Sequence, residues 1–125
     1  MKENEISYKI RGSVYKVYNK LGPGLLESAY EVAMMYQLKK DGLEVKSQVP
    51  IEVFYDEIKL PIAYRLDLIV EDKIVIELKS VEELRNVHFK QLLTYLKLTK
   101  LHLGILVNFN VDNINEGIFR VVNGY

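Results

Sequence analysis

Three charged residues stand in a segment that is otherwise mostly aliphatic, RLDLIVEDKIVIELKS. Asp67 lies in the first apolar run, and Glu77 and Lys79 lie in the second. Residues two apart in a strand share a face, so Glu77 and Lys79 point the same way, and Asp67 can face Glu77 at about 5 Å between Cβ atoms. Two carboxylates can hold Mg²⁺ at about 2.1 Å and leave positions for water and a phosphate oxygen. The segment therefore predicts a magnesium site, with Lys79 orienting the attacking water.

Whether the two carboxylates meet depends on the loop that joins the strands. A three-residue loop, or an equivalent bulge, brings Asp67 opposite Glu77, whereas a two-residue loop at Glu71 and Asp72 turns them to opposite faces. The structural alternative is a surface ion pair on a half-exposed sheet, because an aspartate followed loosely by Glu-x-Lys is frequent in charged sequences. The apolar flanks favour the metal site, since burying unpaired carboxylates is costly.

The elements that must position these residues follow from the spacing of apolar residues. Helical spacing predicts helices over 6–21, 25–40 and 86–100, with a break at the Gly22-Pro23-Gly24 turn. Alternating or continuous apolar residues predict strands over 45–55, 58–70, 73–80 and 103–109, and Pro50 marks a sheet edge, a bulge or a break. Residues 110–125 read as a polar turn and a short terminal segment. The predicted order is ααβββαβ.

Composition limits the classes of function. The 125 residues fit one domain spanning 1–125, and their 17 basic and 17 acidic residues give no basic field to attract nucleic acid. The absence of cysteine excludes disulfides, thiolate zinc sites and cysteine nucleophiles. The two histidines, His88 and His102, do not have the spacing of a zinc site. No signal sequence or membrane span is visible, so a cytoplasmic protein is expected.

The chain resembles the PD-(D/E)XK nuclease superfamily, with Asp67 as the motif aspartate and Glu77-Leu78-Lys79 as its E-x-K element. The proline of the proline-aspartate pair is absent, since Arg65 and Leu66 precede Asp67. Gly24, Glu27 and Tyr30 in GLLESAY resemble the pattern of the GxxExxY protein family, which looks like a branch of that superfamily. The resemblance runs from about residue 14 to 109. It implies an α/β fold with a restriction-endonuclease-like αβββαβ core, a mixed central sheet flanked by helices, and an extra N-terminal helix.

Two helices carry further candidates. Glu27 and Tyr30 are neighbours on one helix face near its positive end, where a carboxylate is favoured, so Glu27 is a candidate auxiliary metal ligand. Its structural alternative is an ordinary first-turn glutamate, and Tyr30 is equally a core aromatic. Gln91 and Tyr95 match the Q-x-x-x-Y element of RecB-like nucleases, and we expect them to support the catalytic site or, alternatively, to lie on a solvated helix face. The role of His88, three residues before Gln91, stays open.

The resemblance implies a phosphodiesterase that cleaves DNA or RNA with one or two Mg²⁺ ions, for which Mn²⁺ substitutes. Asp67 and Glu77 would bind the metal together with the backbone carbonyl of Leu78, and Lys79 would position the water. Two alternatives stay open: an inactive nuclease-like domain that serves binding or assembly, and a subunit that cuts only with a partner. A protein partner or a second copy of the chain is compatible with the small size and neutral charge.

Overall fold

The computed structural model describes residues 1–124, so Tyr125, the end of the predicted terminal segment, lies outside the described residues. Within them the chain forms three α-helices, seven strands and one 3₁₀ helix. In chain order these are α1 Glu3–Leu21, α2 Glu27–Lys40, β1 Val45–Ile51, β2 Phe54–Tyr55, β3 Ile58–Lys59, β4 Tyr64–Val70, β5 Ile74–Lys79, α3 Asn86–Thr99, β6 Leu103–Asn108, the 3₁₀ helix Ile114–Gly117 and β7 Ile118–Val122.

Five strands form one mixed sheet in the order β1-β4-β5-β6-β7, and β2 pairs with β3 in a separate small hairpin. Only the β5–β6 pair of the large sheet is parallel. Parallel neighbours need a crossover, and α3 supplies it. The mixed sheet and its helices confirm the predicted restriction-endonuclease-like class, including the additional N-terminal helix α1.

The helices cover both faces of the sheet. One core cluster joins α1 and α2 to β4, β5 and β6, with residues such as Ile10, Met34 and Ile76 inaccessible to solvent. A second cluster joins α3 to the opposite face through Leu92, Leu96 and neighbouring sheet residues. The sheet is therefore buried on both faces, which explains why β5 and β6 are almost wholly apolar. No helix within residues 1–124 is long and apolar enough to cross a bilayer.

The loop between β4 and β5 has three residues, 71–73, and Val70 pairs with Ile74 across it. Glu71 and Asp72 both adopt left-handed backbone angles, with φ of 54° and 52°. The register continues through Leu68 and Ile76, so the next residues, Asp67 and Glu77, stand opposite each other. The prediction of a three-residue loop is confirmed, and with it the shared face that the metal site requires.

Three sequence predictions for strands need correction. The strand expected over 45–55 is divided, because β1 ends at Ile51 and β2 begins at Phe54. The single strand expected over 58–70 is wrong, because β3 ends at Lys59 and β4 begins only at Tyr64. Pro61 lies in the break and has no amide to donate to a ladder. The terminal segment, for which no strand was assigned, contains β7, which pairs with β6 at the sheet edge. Pro50 lies in β1, an edge strand of the large sheet, and a sheet edge was one of the three positions predicted for it.

Strand β4 changes faces at Asp67. Leu66 and Leu68 are two apart and would share a face in a regular strand, yet Leu66 packs in the α3 cluster and Leu68 packs in the cluster of α1 and α2. The ladder between β1 and β4 is interrupted at the same place, where Gln48 opposite Asp67 has a φ of 50°. Asp67 therefore lies where the strand twists between the two faces, accessible to groups from both sides.

Candidate active site

The Asp67 and Glu77 side chains replace the regular ladder between β4 and β5. The paired positions end at Leu68 and Ile76. One step further, the Asp67 amide donates to Oε2 of Glu77 at 2.8 Å, and the Leu78 amide donates to Oδ2 of Asp67 at 2.8 Å. Each carboxylate thus accepts a backbone amide from the opposite strand, which holds both side chains in the gap between the strands.

Burial makes this pair electrostatically unfavourable without a cation. Glu77 is only 5% exposed and Asp67 is half-buried. Desolvation, followed by the charge of Asp67, raises the pKa of Glu77 to about 8, although the Asp67 amide and Lys79 act in the opposite direction. Desolvation also raises the pKa of Asp67. Perturbed carboxyl groups of this kind concentrate at functional sites.

Lys79 lies near the pair but does not neutralise it by contact. Its charge lowers the pKa of both carboxyl groups. Among residues 1–124, however, neither Asp67 nor Glu77 forms an ion pair with a lysine or arginine within 4.0 Å. Lys79 is partly exposed at the end of β5, so its ammonium group can reach a molecule bound beside the carboxylates.

Glu27 lies beside the end of β5 because the start of α2 is attached there. Its Oε2 accepts the Ser80 amide at 3.2 Å, and the Ser80 hydroxyl donates to the Leu25 carbonyl at 2.6 Å. The charge of Glu27 contributes to the raised pKa of Asp67. The structure thus brings Glu27 within electrostatic range of the site, while its carboxylate accepts a hydrogen bond from the Ser80 amide.

Glu31 is a site residue that sequence reasoning missed. It lies one helical turn after Glu27 and accepts a hydrogen bond from the Gln48 side chain at 2.7 Å. Its charge raises the pKa of both Asp67 and Glu77. The available signal was the spacing of four from Glu27, which puts both carboxylates on one helix face.

Tyr30 belongs to the core and positions the α2 start. Its ring stacks on Phe109 with centroids 4.2 Å apart, and it is inaccessible to solvent. The hydroxyl donates to the Gly22 carbonyl and accepts the Leu25 amide at 3.2 Å. These bonds fix the turn in which Gly24 has a φ of 98°, a value that favours glycine. Tyr30 thereby holds the turn that precedes Glu27.

Tyr95 reaches the site from α3, on the other side of the sheet. It is 8% exposed, and desolvation, then the charge of Glu77, raises the pKa of its hydroxyl. Gln91, one turn earlier, is exposed. His88 instead caps the helix locally, because its Nδ1 accepts the Arg85 amide at 3.0 Å. The helix therefore brings Tyr95 close to the carboxylates and gives His88 a structural role.

Asn108 is a second residue that the sequence did not single out. It is 3% exposed at the end of β6 and pairs with Lys79 in the parallel register. The side-chain Oδ1 of Asn108 accepts the Val81 backbone amide at 3.1 Å, and its Nδ2 donates to the Val81 carbonyl at 2.9 Å. These two bonds fix the chain just after Lys79. A lone polar residue ending the buried run LGILVN was the available signal.

The donor set fits a hard divalent cation in part. Asp67 and Glu77 supply buried carboxylate oxygens that lack a cationic partner, which is the ligand chemistry of Mg²⁺ and Mn²⁺. Within residues 1–124, no three histidine, aspartate or glutamate side chains form a group able to hold a metal ion. Glu27 therefore stands apart from the carboxylate pair, and a cation there would rely on those two side chains, backbone carbonyls and water.

Comparisons with known proteins identify the family of the chain. A search of curated proteins finds no significant match. The crystal structure of SSO0001 is similar to the chain, with a TM-score of 0.59 and 26% sequence identity, over 78% of this chain and 50% of that one. The chain thus spans half the length of that solved protein. A family model for the PD-(D/E)XK nuclease superfamily matches residues 4–121, nearly the whole sequence, and the chain belongs to that superfamily.

Proposed function

We propose that this protein is a metal-dependent phosphodiesterase that cleaves DNA or RNA at the Asp67, Glu77 and Lys79 site. The observation that carries the proposal is a pair of carboxylates, held in the interrupted β4–β5 ladder, with no lysine or arginine within 4.0 Å among residues 1–124. A structure gains nothing from burying two like charges together, whereas a divalent cation binds them favourably. Membership of a nuclease superfamily supports the same function.

Asp67 and Glu77 would hold Mg²⁺, with Mn²⁺ as a substitute, together with the Leu78 carbonyl. When bound, the cation would neutralise phosphate charge and make an attacking water more acidic. The backbone amides of Asp67 and Leu78 keep one oxygen of each carboxylate engaged and leave the other without a hydrogen bond to the described residues. This fixed orientation lowers the reorganisation that binding requires.

Lys79 would position the attacking water and stabilise the charge that develops on phosphate oxygens. An ammonium group has three donors and no acceptor, so it cannot bind the cation but can donate to both oxygens. Glu27 would act as an auxiliary ligand, through water or after release from Ser80. Gln91 and Tyr95 would support the site from α3, with the Tyr95 hydroxyl in the field of Glu77.

A cleavage assay with Mn²⁺ or Mg²⁺ tests the proposal. Single-stranded DNA, double-stranded DNA and RNA should be compared, with Asp67→Ala as the negative control and a chelator control for each substrate. We expect wild-type protein to cleave at least one substrate and Asp67→Ala to cleave none. Cleavage that persists in Asp67→Ala at the wild-type rate would assign the activity to a contaminant or another site.

Two alternatives give different results. An inactive module for binding or assembly should show no calorimetric binding of Mg²⁺ or Mn²⁺ at the carboxylates. A subunit that needs a partner should bind the cation but cleave only after the partner, or a second copy of the chain, is supplied. The neutral net charge and the small size of the chain support this second alternative more than the first.

We further propose that the chain belongs to the GxxExxY branch and that residues 1–125 act as one cytoplasmic domain. Each motif position has a distinct task that supports the branch assignment. Gly24 adopts a positive φ, Glu27 joins the end of β5, and Tyr30 fixes the turn between α1 and α2. A substitution series at these three positions, read by cleavage and stability, would show whether they act together.

A further inference from the structure

A slot on the α3 side of the candidate active site includes Gln91 and Tyr95, for which the function proposed above gives only a supporting role. It has a volume of about 280 Å³, close to the lower end for ligand pockets, and is lined by Val53, Tyr64, Gln91, Thr94, Tyr95 and Leu98. The slot lies near the site because Tyr64 begins β4, three residues before Asp67, and the Tyr95 hydroxyl is within electrostatic range of Glu77. A group in this slot would therefore lie near a phosphate held at the carboxylates.

The lining combines flat aromatic and aliphatic surfaces with one unengaged amide. Tyr64 is 39% exposed, and its ring is tilted by 56° to that of Tyr95, with centroids 6.4 Å apart, so the two do not stack on each other. The Gln91 side chain makes no hydrogen bond with another residue in the part of the chain that the structure describes. An amide offers both a donor and an acceptor to the edge of a planar ring.

Electrostatics near the site argue for a ligand held by its ring. The site is rich in carboxylates, because Glu27 and Glu31 add negative charge beside the Asp67 and Glu77 pair. Lys79 is the cation whose charge acts on both members of that pair. A polyanion would gain little from the protein's own charge here, since the net charge is also zero. Stacking on aromatic side chains is the contact that holds nucleic acid without requiring positive charge.

An exposed apolar arm follows the slot residue Val53 in the chain. The β2–β3 hairpin follows directly from Val53, and its Phe54, Tyr55 and Ile58 side chains are 56%, 69% and 64% exposed. The arm is anchored to the slot side by the Leu60 amide, which donates to the Val53 carbonyl at 2.8 Å. Exposed aromatic residues in succession suit successive unstacked bases better than a paired duplex, whose bases hide their faces.

We propose that the slot binds an unpaired nucleobase next to the scissile phosphate, which makes single-stranded nucleic acid the substrate class. The inference rests on the proposed function for the location of the phosphate. Tyr64 provides the stacking surface, Gln91 reads the edge of the base, and Val53 and Leu98 supply the apolar walls. A paired base cannot enter, because its edge is occupied by its partner and its faces by its neighbours.

The experiment measures binding apart from cleavage. Fluorescent single-stranded DNA and RNA of one sequence, each with 2-aminopurine at one position, and the matching DNA duplex are titrated with protein in Ca²⁺. Wild-type protein should bind at least one of the single strands more tightly than the duplex and change the 2-aminopurine emission. Tyr64→Ala should weaken single-strand binding about 5- to 150-fold, the equivalent of one lost stacked base. Tyr64→Phe should retain binding because it keeps the ring.

Matched controls keep the test decisive. Tyr8→Ala removes an exposed tyrosine on α1, outside the slot, and should bind as wild type. Unfolding curves of each variant exclude loss of fold as the cause. Equal affinity for duplex and single strands, or wild-type affinity in Tyr64→Ala, would overturn the slot assignment. Slot-dependent binding without cleavage in Mg²⁺ or Mn²⁺ would support the slot and refute only cleavage by this chain alone.

Discussion

The β4–β5 hairpin has two halves that follow different rules, although one pair of strands forms both. Near the turn, Leu68 to Val70 pair regularly with Ile74 to Ile76, and these three β5 residues are wholly buried. Farther along, the Asp67 and Glu77 carboxylates accept backbone amides of the opposite strand instead of continuing the ladder. The first half stabilises the fold, and the second half carries charge that folding alone disfavours.

The difference places residues that stabilise the fold and residues of the candidate site one step apart along the same strand. Burying each aliphatic side chain near the turn contributes roughly 1.5 to 3 kcal/mol. Burying a carboxylate has the opposite sign unless a partner compensates it. Substitutions in each half therefore test whether the apolar half governs stability and the charged half governs metal binding and cleavage.

The largest expected effect is on cleavage, at the charged half. Lys79→Ala should keep divalent-metal binding and lose about 100- to 1000-fold in turnover, because one pre-organised donor to the reacting oxygens disappears. Asp67→Ala and Glu77→Ala should weaken both metal binding and cleavage, because each removes a ligand. Calorimetric metal titration followed by cleavage kinetics on the three variants measures this asymmetry. A Lys79→Ala protein that cuts at the wild-type rate would refute the role of the lysine.

The apolar half should respond in stability. Ile76→Ala removes a wholly buried side chain and should lower the free energy of unfolding by about 2 to 5 kcal/mol, through lost transfer energy and a cavity. Cleavage per folded molecule should change little, since the carboxylate geometry is one step away. Urea denaturation provides the measurement, and Val32→Ala, at a 71% exposed position, provides the control. A loss of activity without a loss of stability would contradict the division between the halves.

Replacing the buried Glu77 carboxyl group should change the dependence of the free energy of unfolding on pH. The pKa of Glu77 is raised from 4.5 to about 8 on folding, so its unfavourable contribution is absent below about pH 4.5 and grows as the pH rises toward 8. Without metal, wild-type protein should lose on the order of 2 kcal/mol from this group between pH 5 and pH 7. Glu77→Gln should lose less over that interval.

Unfolding in a chelator at several pH values measures this effect, with Glu57→Gln, an exposed glutamate of the β2–β3 turn, as the matched control. Adding Mn²⁺ should restore stability to wild-type protein at pH 7 and leave Glu77→Gln nearly unchanged, because binding to the folded state alone stabilises it. If both proteins show the same pH profile, burial does not perturb Glu77 as described.

The smallest expected effect lies in the turn that positions Glu27. Tyr30→Phe keeps the ring stacked on Phe109 but leaves the Leu25 amide and the Gly22 carbonyl without the hydroxyl, at a cost of about 1 kcal/mol. Tyr36→Phe, on the exposed side of the same helix, should change stability by less than about 0.5 kcal/mol. Thermal unfolding of the pair decides, and equal values would show that the hydroxyl does not hold the turn.

The sequence by itself determined the elements whose patterns are local. Spacing of three and four placed the three helices, and glycine and proline marked where the first two separate. The alternation of side chains along a strand also showed that Asp67 and Glu77 can share a face only if the loop has three residues or an equivalent bulge. The identities of Asp67, Glu77 and Lys79 as a candidate site followed from charge in an apolar setting, which is visible without coordinates.

Only the tertiary structure decided what depends on residues distant in the chain. The change of face at Asp67 arises where Gln48 interrupts the β1–β4 ladder, and no local pattern encodes a left-handed glutamine there. Glu31 enters the site because α2 packs beside that interruption, and β7 becomes a strand because β6 offers it an edge. Pairing partners and packing neighbours are set by the whole fold, so a reading that uses nearby residues cannot supply them.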